Sequence, residues 1–380
     1  MFSSSSSCLL AAKKYFTVKV SVGVTLLIIS GLQGCTSTQT RNDALDKQLA
    51  TGDFTAAAIS IESDMGFKSK DPNQLPDVEF KSRNVLDHLD AGKAWLLAGN
   101  SHRALDHFDA AESSLNDIDS DGNFSSGLQQ VSGAILGDST MFYKPSPSES
   151  VLINYYKSII FMEKGDYSNA RVELNRAGER TKRAVDRYSR ELIAAQKEQS
   201  KNVTSIDNNT IISNHFPEML AWSTYSDFIL PPATYLQALY LGLQKNPSDT
   251  DLSRNLMNRV NEMTNNPSVK NDLRDLNEGE LCPEGNCLWI ISEHGVGPTL
   301  VEKRFDLPVP TNSGAVVVSM ALPSLVSRTL EPSPYVRVAQ GDQIIPLNPL
   351  ASMDKSVQTE FQKRFPAILA RSTAGAIAKA

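Results

Sequence analysis

Small and aromatic residues return in one register along the first half of this chain, and that recurrence restricts the fold more than any other feature. Within 87–112 they are Gly92, Trp95, Gly99, Ala104, Phe108 and Ala111; within 154–177 they are Ser158, Phe161, Gly165, Tyr167, Ala170, Leu174 and Ala177. Alternating steps of three and four residues place each set on one helical face, with a glycine between two such faces. A weaker copy lies at Gly52, Asp53, Phe54 and Ala57, where the turn spelled by Gly165-Asp166-Tyr167 is repeated.

Two helices joined in this way bury their small faces against each other, and the spacing matches that of a tetratricopeptide repeat. The copies are separated by unequal inserts, so the expected fold class is mainly α: irregular tetratricopeptide-like helical repeats followed by a small α+β C-terminal region. Apolar positions then continue through Ala170, Leu174, Ala177, Thr181, Val185, Tyr188, Leu192 and Ala195, which predicts one long helix. Its other faces carry Arg171, Arg176, Arg180, Lys182, Arg183, Arg187 and Arg190. A solvated basic face is the simplest reading, with contact to acidic headgroups or an acidic partner as the alternative.

Asn-rich residues 201–216 read as a loop. A helical pair is expected over Pro232–Gln244 and Asp249–Met263. From Leu288 the grammar changes to short apolar or alternating runs between Gly and Pro: Leu288–Ile291, then Phe305, Leu307 and Val309, then Ala315–Leu322 and Tyr335–Ala339. Met353, Val357, Phe361 and Phe365 share a helical face, and Pro366 is expected to break it. The Ala-rich segment after it carries no stop signal, so the sequence reads as running to its last residue in a helix. These signals divide the chain into a leader at 1–34, a helical-repeat domain at 35–263, a linker at 264–287, and a small β-containing region with terminal helices at 288–380.

The leader carries Lys13, Lys14 and Lys19, no acidic side chain, and an uncharged run from Val20 to Leu32. This is the layout of a secretory signal. The run is too short for a bilayer core that takes about 20 residues to cross. Leu32-Gln33-Gly34-Cys35 then resembles the box read by lipoprotein signal peptidase, with Gln33 where a small residue is usual. Cys35 is thus the expected lipidation site, and Thr36 in place of Asp favours sorting to the outer membrane. Several acyl chains anchor firmly where one does not, because each buried methylene contributes about 0.8 kcal/mol.

Less the three leader lysines, 37 basic side chains become 34 against 43 acidic ones. That excess argues against a nucleic-acid partner, which needs a basic surface. Cys282 and Cys287 are the thiols left once Cys8 is removed and Cys35 is acylated. In an oxidising compartment, with Pro283-Glu284-Gly285-Asn286 as turn chemistry between them, a disulfide is favoured. The alternative, a metal or redox site, has only His294 nearby in sequence as a further soft ligand.

Motifs for chemistry are sparse. Asp117-Ile118-Asp119-Ser120-Asp121-Gly122 has the opening of a calcium loop, but Leu128 stands where the closing bidentate Glu belongs, so a flexible acidic loop is favoured. Ser352-Met353-Asp354-Lys355 fits Ser-x-x-Lys without the companion motifs of penicillin-binding proteins. There is no Gly-x-Ser-x-Gly, phosphate-binding loop or His-Glu-x-x-His. His88, His102, His107, His215 and His294 show no metal-ligand spacing, and His102 and His107 read as surface or internally satisfied residues. Glu293-His294-Gly295-Val296-Gly297-Pro298, followed by Glu302, reads as a structural turn or partner contact, with an acid–imidazole catalytic pair as the alternative. No cofactor is expected.

Taken together, Tyr143-Lys144-Pro145 with Glu149 and Tyr155-Tyr156, Ala170-Arg171-Val172-Glu173 with Asn175-Arg176-Ala177, and Glu293-His294-Gly295 with Pro298 resemble a family of bacterial outer-membrane lipoproteins with tetratricopeptide-like repeats. The resemblance spans roughly residues 40–370. It implies an envelope protein, in some genomes encoded beside a lipoprotein similar to activators of penicillin-binding proteins, and it carries no activity with it. It also implies a β region longer than the one present. Two functions follow as expectations. The favoured one is a non-catalytic adaptor, held to membrane lipid through Cys35, that binds an unidentified envelope protein in a groove bordered by Tyr143, Pro145, Glu149, Arg171, Glu173 and Arg176. The alternative is an envelope hydrolase with its site near Glu293 and His294.

The lipobox generates the first prediction. Metabolic labelling with an alkyne fatty acid marks the wild-type chain and leaves Cys35→Ala unmarked; equal labelling of both removes Cys35 as the acceptor.

Overall fold

The computed structural model describes residues 45, 47–49, 51–67, 85–120, 146–199, 208–226, 228–283, 287–311, 314–328, 337–340 and 343–377. One turn is used three times among the described residues. Gly52, Gly99 and Gly165 have φ of +76°, +78° and +73°, a left-handed conformation that side chains with a Cβ resist. Each is followed by a residue that caps the next helix. Asp53 accepts from the Ala56 N–H, Asn100 from the Arg103 N–H and Asp166 from the Asn169 N–H, all at 3.1 Å.

These turns set out α1 (Phe54–Asp64), α2 (Val85–Leu97), α3 (Ser101–Ser120), α4 (Pro147–Glu163) and α5 (Tyr167–Gln199). The pairs α1–α2, α2–α3 and α4–α5 are packed neighbours, and α3 against α4 joins the two halves. Close approach of α2 and α3 depends on Gly92, where an added Cβ would lie 2.7 Å from the ring of fully buried Phe108. Phe108 in turn stacks on Tyr156 of α4, with ring centroids 5.6 Å apart.

After α5 come α6 (Asn208–His215), a 3-10 turn (Pro217–Leu220), α7 (Pro231–Gly242), α8 (Pro247–Thr264) and α9 (Pro267–Glu278). The last three each begin with Pro at the first turn, where its missing N–H costs nothing. Strands β1 (Thr299–Thr311) and β2 (Gly314–Val326) form an antiparallel hairpin, β3 (Arg337–Gln340) and β4 (Gln343–Pro346) a second one, and α10 (Met353–Ile377) lies against α5 and β2. The molecule is thus mainly helical, with packed antiparallel pairs and a hairpin and helix near the C-terminus.

Several sequence expectations are corrected. Residues 208–215 are helix rather than loop, because Ile211 packs with Phe216 and Met219 under the β1–β2 hairpin. The supposed linker contains α9, capped by Asn266 and buried through Val269 and Leu276. Leu288–Ile291 forms no strand: it has no partner to pair with among the described residues, and Leu288 is 82% exposed. Pro366 does not break α10. It removes one ladder bond, but Phe365, Ala367, Ile368 and Leu369 around it are all buried in the core shared with β2. The boundary near 264 is not a division of the fold either, since Asp53–Ala380 forms one compact unit.

Cys282 and Cys287 are joined in a disulfide, their Cα atoms 5.8 Å apart. Among the described residues no helix is long and apolar enough to cross a membrane.

The Gly92 contact predicts that Gly92→Val costs about 1–3 kcal/mol through overpacking. Gly178→Ala is its counterpart: the added Cβ meets only Gln237 at 3.4 Å, and helix propensity gains up to about 1 kcal/mol. Thermal unfolding therefore shows a lower midpoint for the first and an equal or higher one for the second; two equal losses would mean that Gly92 is not a contact requirement.

Candidate functional site

Helix α4 presents Asn154 and Lys157 one turn apart to its neighbours, and both are buried. A buried ammonium is tolerated only when it is paired, and α3 and α5 supply the pairs. Lys157 Nζ lies 2.8 Å from Asp109, 2.5 Å from Glu112 and 3.2 Å from Glu173. Asn154 donates to Glu112 at 3.0 Å and to Glu173 at 2.6 Å, while its carbonyl oxygen accepts from Arg180 Nε at 2.6 Å. Arg180 Nη2 reaches Glu112 at 2.8 Å, and Arg176 reaches Glu173 at 2.8 Å. Burial alone would raise the Glu112 carboxyl, but hydrogen bonds from Lys157, Asn154 and Arg180 outweigh it and hold the group at about 2. Burial likewise opposes the charge on Lys157, and its bonds to Asp109 and Glu112 overcome that and raise it.

An open cleft of about 360 Å³ adjoins this network, lined by Asp109, Glu112, Ser113, Asn116, Arg176, Arg180 and Arg183. Lys157, Arg176 and Arg180 balance Asp109, Glu112 and Glu173, so Arg183 brings the cleft one cation beyond balance. The Arg176 side chain is half exposed at the rim, while Arg180 is 5% exposed at the floor. Guanidinium forks held in this way suit carboxylate or phosphate oxygens. Among the described residues no three His, Cys, Asp or Glu side chains are placed to hold a metal.

A second buried cluster joins α1, α2 and α3. Glu62 accepts from Trp95 Nε1 at 2.7 Å and Arg103 Nε at 2.6 Å, and lies 2.9 Å from His107 Nε2; His107 Nδ1 lies 3.0 Å from His88 Nδ1. Burial would raise the Glu62 carboxyl, and the bonds from His107, Arg103 and Trp95 instead lower it. Both histidines are fully buried. His107 is therefore a satisfied interior residue, whereas His102 is exposed beside Asp106.

The residues singled out from sequence are dispersed. Tyr143 and Pro145 lie outside the described residues. Glu149 closes a capping box at the start of α4, accepting from the Ser146 N–H at 2.6 Å while its own N–H donates to Ser146 Oγ at 3.2 Å. Arg171 grips Asp249 of α8 through two bonds of 2.7 and 2.6 Å. These two residues sit toward opposite ends of the α4–α5 hairpin, so they do not border one groove. Glu173 and Arg176 do meet, and Arg176 lines the cleft. The basic side chains of α5 are not simply a solvated face either, since Arg180 is buried and Arg171 is paired.

Glu293 is an anchor for the segment before β1. It pairs with Lys93, whose ammonium stands 4.1 Å from the centroid of the Tyr156 ring, and accepts from Tyr156 Oη at 3.3 Å. Burial and the Glu293 charge push the Tyr155 and Tyr156 phenols up, so both keep their protons. His294 is exposed, Gly295 takes φ +86°, and Pro298 leads into β1. Ser352 and Lys355 also have a local explanation, because the Lys355 N–H donates to Ser352 Oγ at the start of α10. Residues 117–120 continue α3 as helix, which corrects the acidic-loop reading there; Asp121 and Gly122 lie outside the described residues. Sequence reasoning missed Glu112, Asn154, Lys157, Arg180 and Arg183 as one group. The available signal was Lys157 within an apolar face of α4.

Comparison with protein-family models, with curated proteins and with solved structures returns no match.

The depressed Glu112 carboxyl predicts an acid transition. Its stabilising effect is complete above the ordinary carboxylate value of 4.5 and is lost as pH falls toward about 2. Glu112→Gln leaves Lys157 and Arg180 under-neutralised, costing about 3–5 kcal/mol at pH 7. Its stability relative to wild type should recover as the pH approaches 2. A deficit that is unchanged with pH would show that charge at Glu112 is not what holds α3 to α4.

Proposed function

We propose that this chain is a lipid-anchored adaptor of the bacterial envelope, one that binds an acidic segment of a protein partner at the α3–α5 cleft. The observation that carries this reading is the pair Arg176 and Arg183 at the rim of an open cleft whose inner charges are matched to one another. An incoming carboxylate therefore meets Arg183 beside an Arg176 already held by Glu173, and binding does not have to order the floor. Stacked helical pairs are suited to presenting such a surface. The lipobox at Cys35 and the resemblance to envelope lipoproteins with tetratricopeptide-like repeats point the same way, and Thr36 favours the outer membrane.

Arg183 differs from Glu149, Arg171 and Arg176, which hold a helix cap, an interhelical ion pair and a bond to buried Glu173. Arg183 lies outside the balanced set, and exposed charge pairs stabilise by only about 0–1 kcal/mol, so Arg183→Glu should leave the melting temperature within about 4 °C. Recovery of the partner crosslinked in intact envelopes should fall at least about tenfold, and wild-type recovery should fall as salt rises. Undiminished recovery with Arg183→Glu overturns the cleft as the binding site.

A further inference from the structure

The β1–β2 hairpin is long for a two-stranded element. Pairing runs without interruption from Thr299↔Val326 to Thr311↔Gly314. Its proximal half rests on the core through Phe305, Leu307, Val318, Met320, Leu322 and Leu325. Beyond the Leu307↔Val318 pair the ribbon continues for four more residue pairs, about 13 Å at 3.3 Å per residue. On that distal half of β2, Gly314, Ala315, Val316 and Val317 are exposed, Val317 by 66%. No charged residue occurs between Asp306 and Arg328. Projecting strands are ordinarily protected from pairing by charge, and this one has none.

The two edges of the ribbon differ. Pro308 and Pro310 lie opposite Val317 and Ala315, and proline has no N–H to give to a partner strand. Those two pairs are therefore the non-hydrogen-bonded ones of the antiparallel ladder. By the same alternation Ala315, Val317 and Ser319 direct their N–H and C=O groups away from β1. The outer edge of β1 is thus blocked by two prolines, and the outer edge of β2 offers three successive donor–acceptor positions. Among the described residues β2 pairs with β1 alone.

We infer that the distal part of β2, Ala315–Ser319, pairs antiparallel with the same segment of a second copy of this chain, completing a four-stranded sheet across a two-fold axis. The segment is complementary to itself. Centred on Val317, the pairing sets Val316 against Val318 and Ala315 against Ser319, so β-branched side chains meet across the strands and no like charges oppose. The other occupants fit less well. Entry into lipid would carry open N–H and C=O groups into hydrocarbon, which is costly. A foreign strand needs only one free edge, but nothing on this edge selects another sequence over the chain's own.

Val317→Pro is the discriminating change. Val317 faces Pro308 in a non-hydrogen-bonded pair, so the substitution leaves the β1–β2 ladder intact while removing one outward donor from each copy. Val317→Thr keeps both the N–H and the β-branch. Sedimentation equilibrium of the full chain in detergent, at up to roughly 100 µM, should show a reversible dimer for wild type and Val317→Thr. For Val317→Pro the dissociation constant should rise at least about tenfold, with unchanged circular dichroism. A wild-type chain that stays monomeric overturns the inference, whether or not it binds phospholipid vesicles or a foreign strand through this segment. So does a Val317→Pro chain that folds normally and dimerises as wild type does.

Discussion

Lys157 is a cation with almost no water around it, and much of the helical array is arranged to make that tolerable. Its three carboxylate neighbours come from α3 and α5, and Asn154 one turn away donates to two of them, Glu112 and Glu173. Removing any single partner would strand charge in the interior, a larger penalty than the modest net gain from making the pair. The network therefore fixes how α3, α4 and α5 approach and rotate about one another, and with that the position of the cleft that Arg176 and Arg183 border.

The N-terminal helices use the same device in a different composition. Glu62 is a buried anion satisfied by an arginine, an indole and an imidazole, and these tie α1 to α2 and α3. Apolar contacts such as Phe108 against Gly92 and Tyr156 supply close packing but tolerate sliding. Directed bonds to a single carboxylate do not, so the polar clusters define the register between helices that packing alone leaves loose.

The C-terminal elements are part of the same body. Glu360 of α10 is buried and accepts from the Ser148 N–H at 2.8 Å and from Ser148 Oγ at 2.5 Å at the start of α4. Burial pushes its carboxyl up to about 7 despite those bonds. Thr359 accepts from the Tyr225 N–H, and Phe361 and Phe365 reach Trp222, Phe216 and the β hairpin. A region whose sequence grammar reads as separate is thereby locked onto the packed helical pairs, while the outer half of its hairpin stands clear of them.

Local features were legible without coordinates. The recurring glycine turns, the apolar stripe of α5, the α7–α8 pair and the strand candidates that became β1 and β2 are all consequences of φ preference and side-chain period, which act within a few residues. The long-range partners were not legible. The sequence alone does not say that Arg171 meets Asp249, that Glu149 faces its own cap, that Lys157 gathers acids from two other helices, or that Ile211 and Val269 find a core to enter. Those pairings join residues far apart in the chain, and their free energy depends on burial and distance that exist only once the helices have packed. The sequence by itself determined the glycine turns, the long α5 helix and the α7–α8 pair, which depend on neighbours a few residues away. Tertiary structure decided which charges are buried together, and so where a cleft opens.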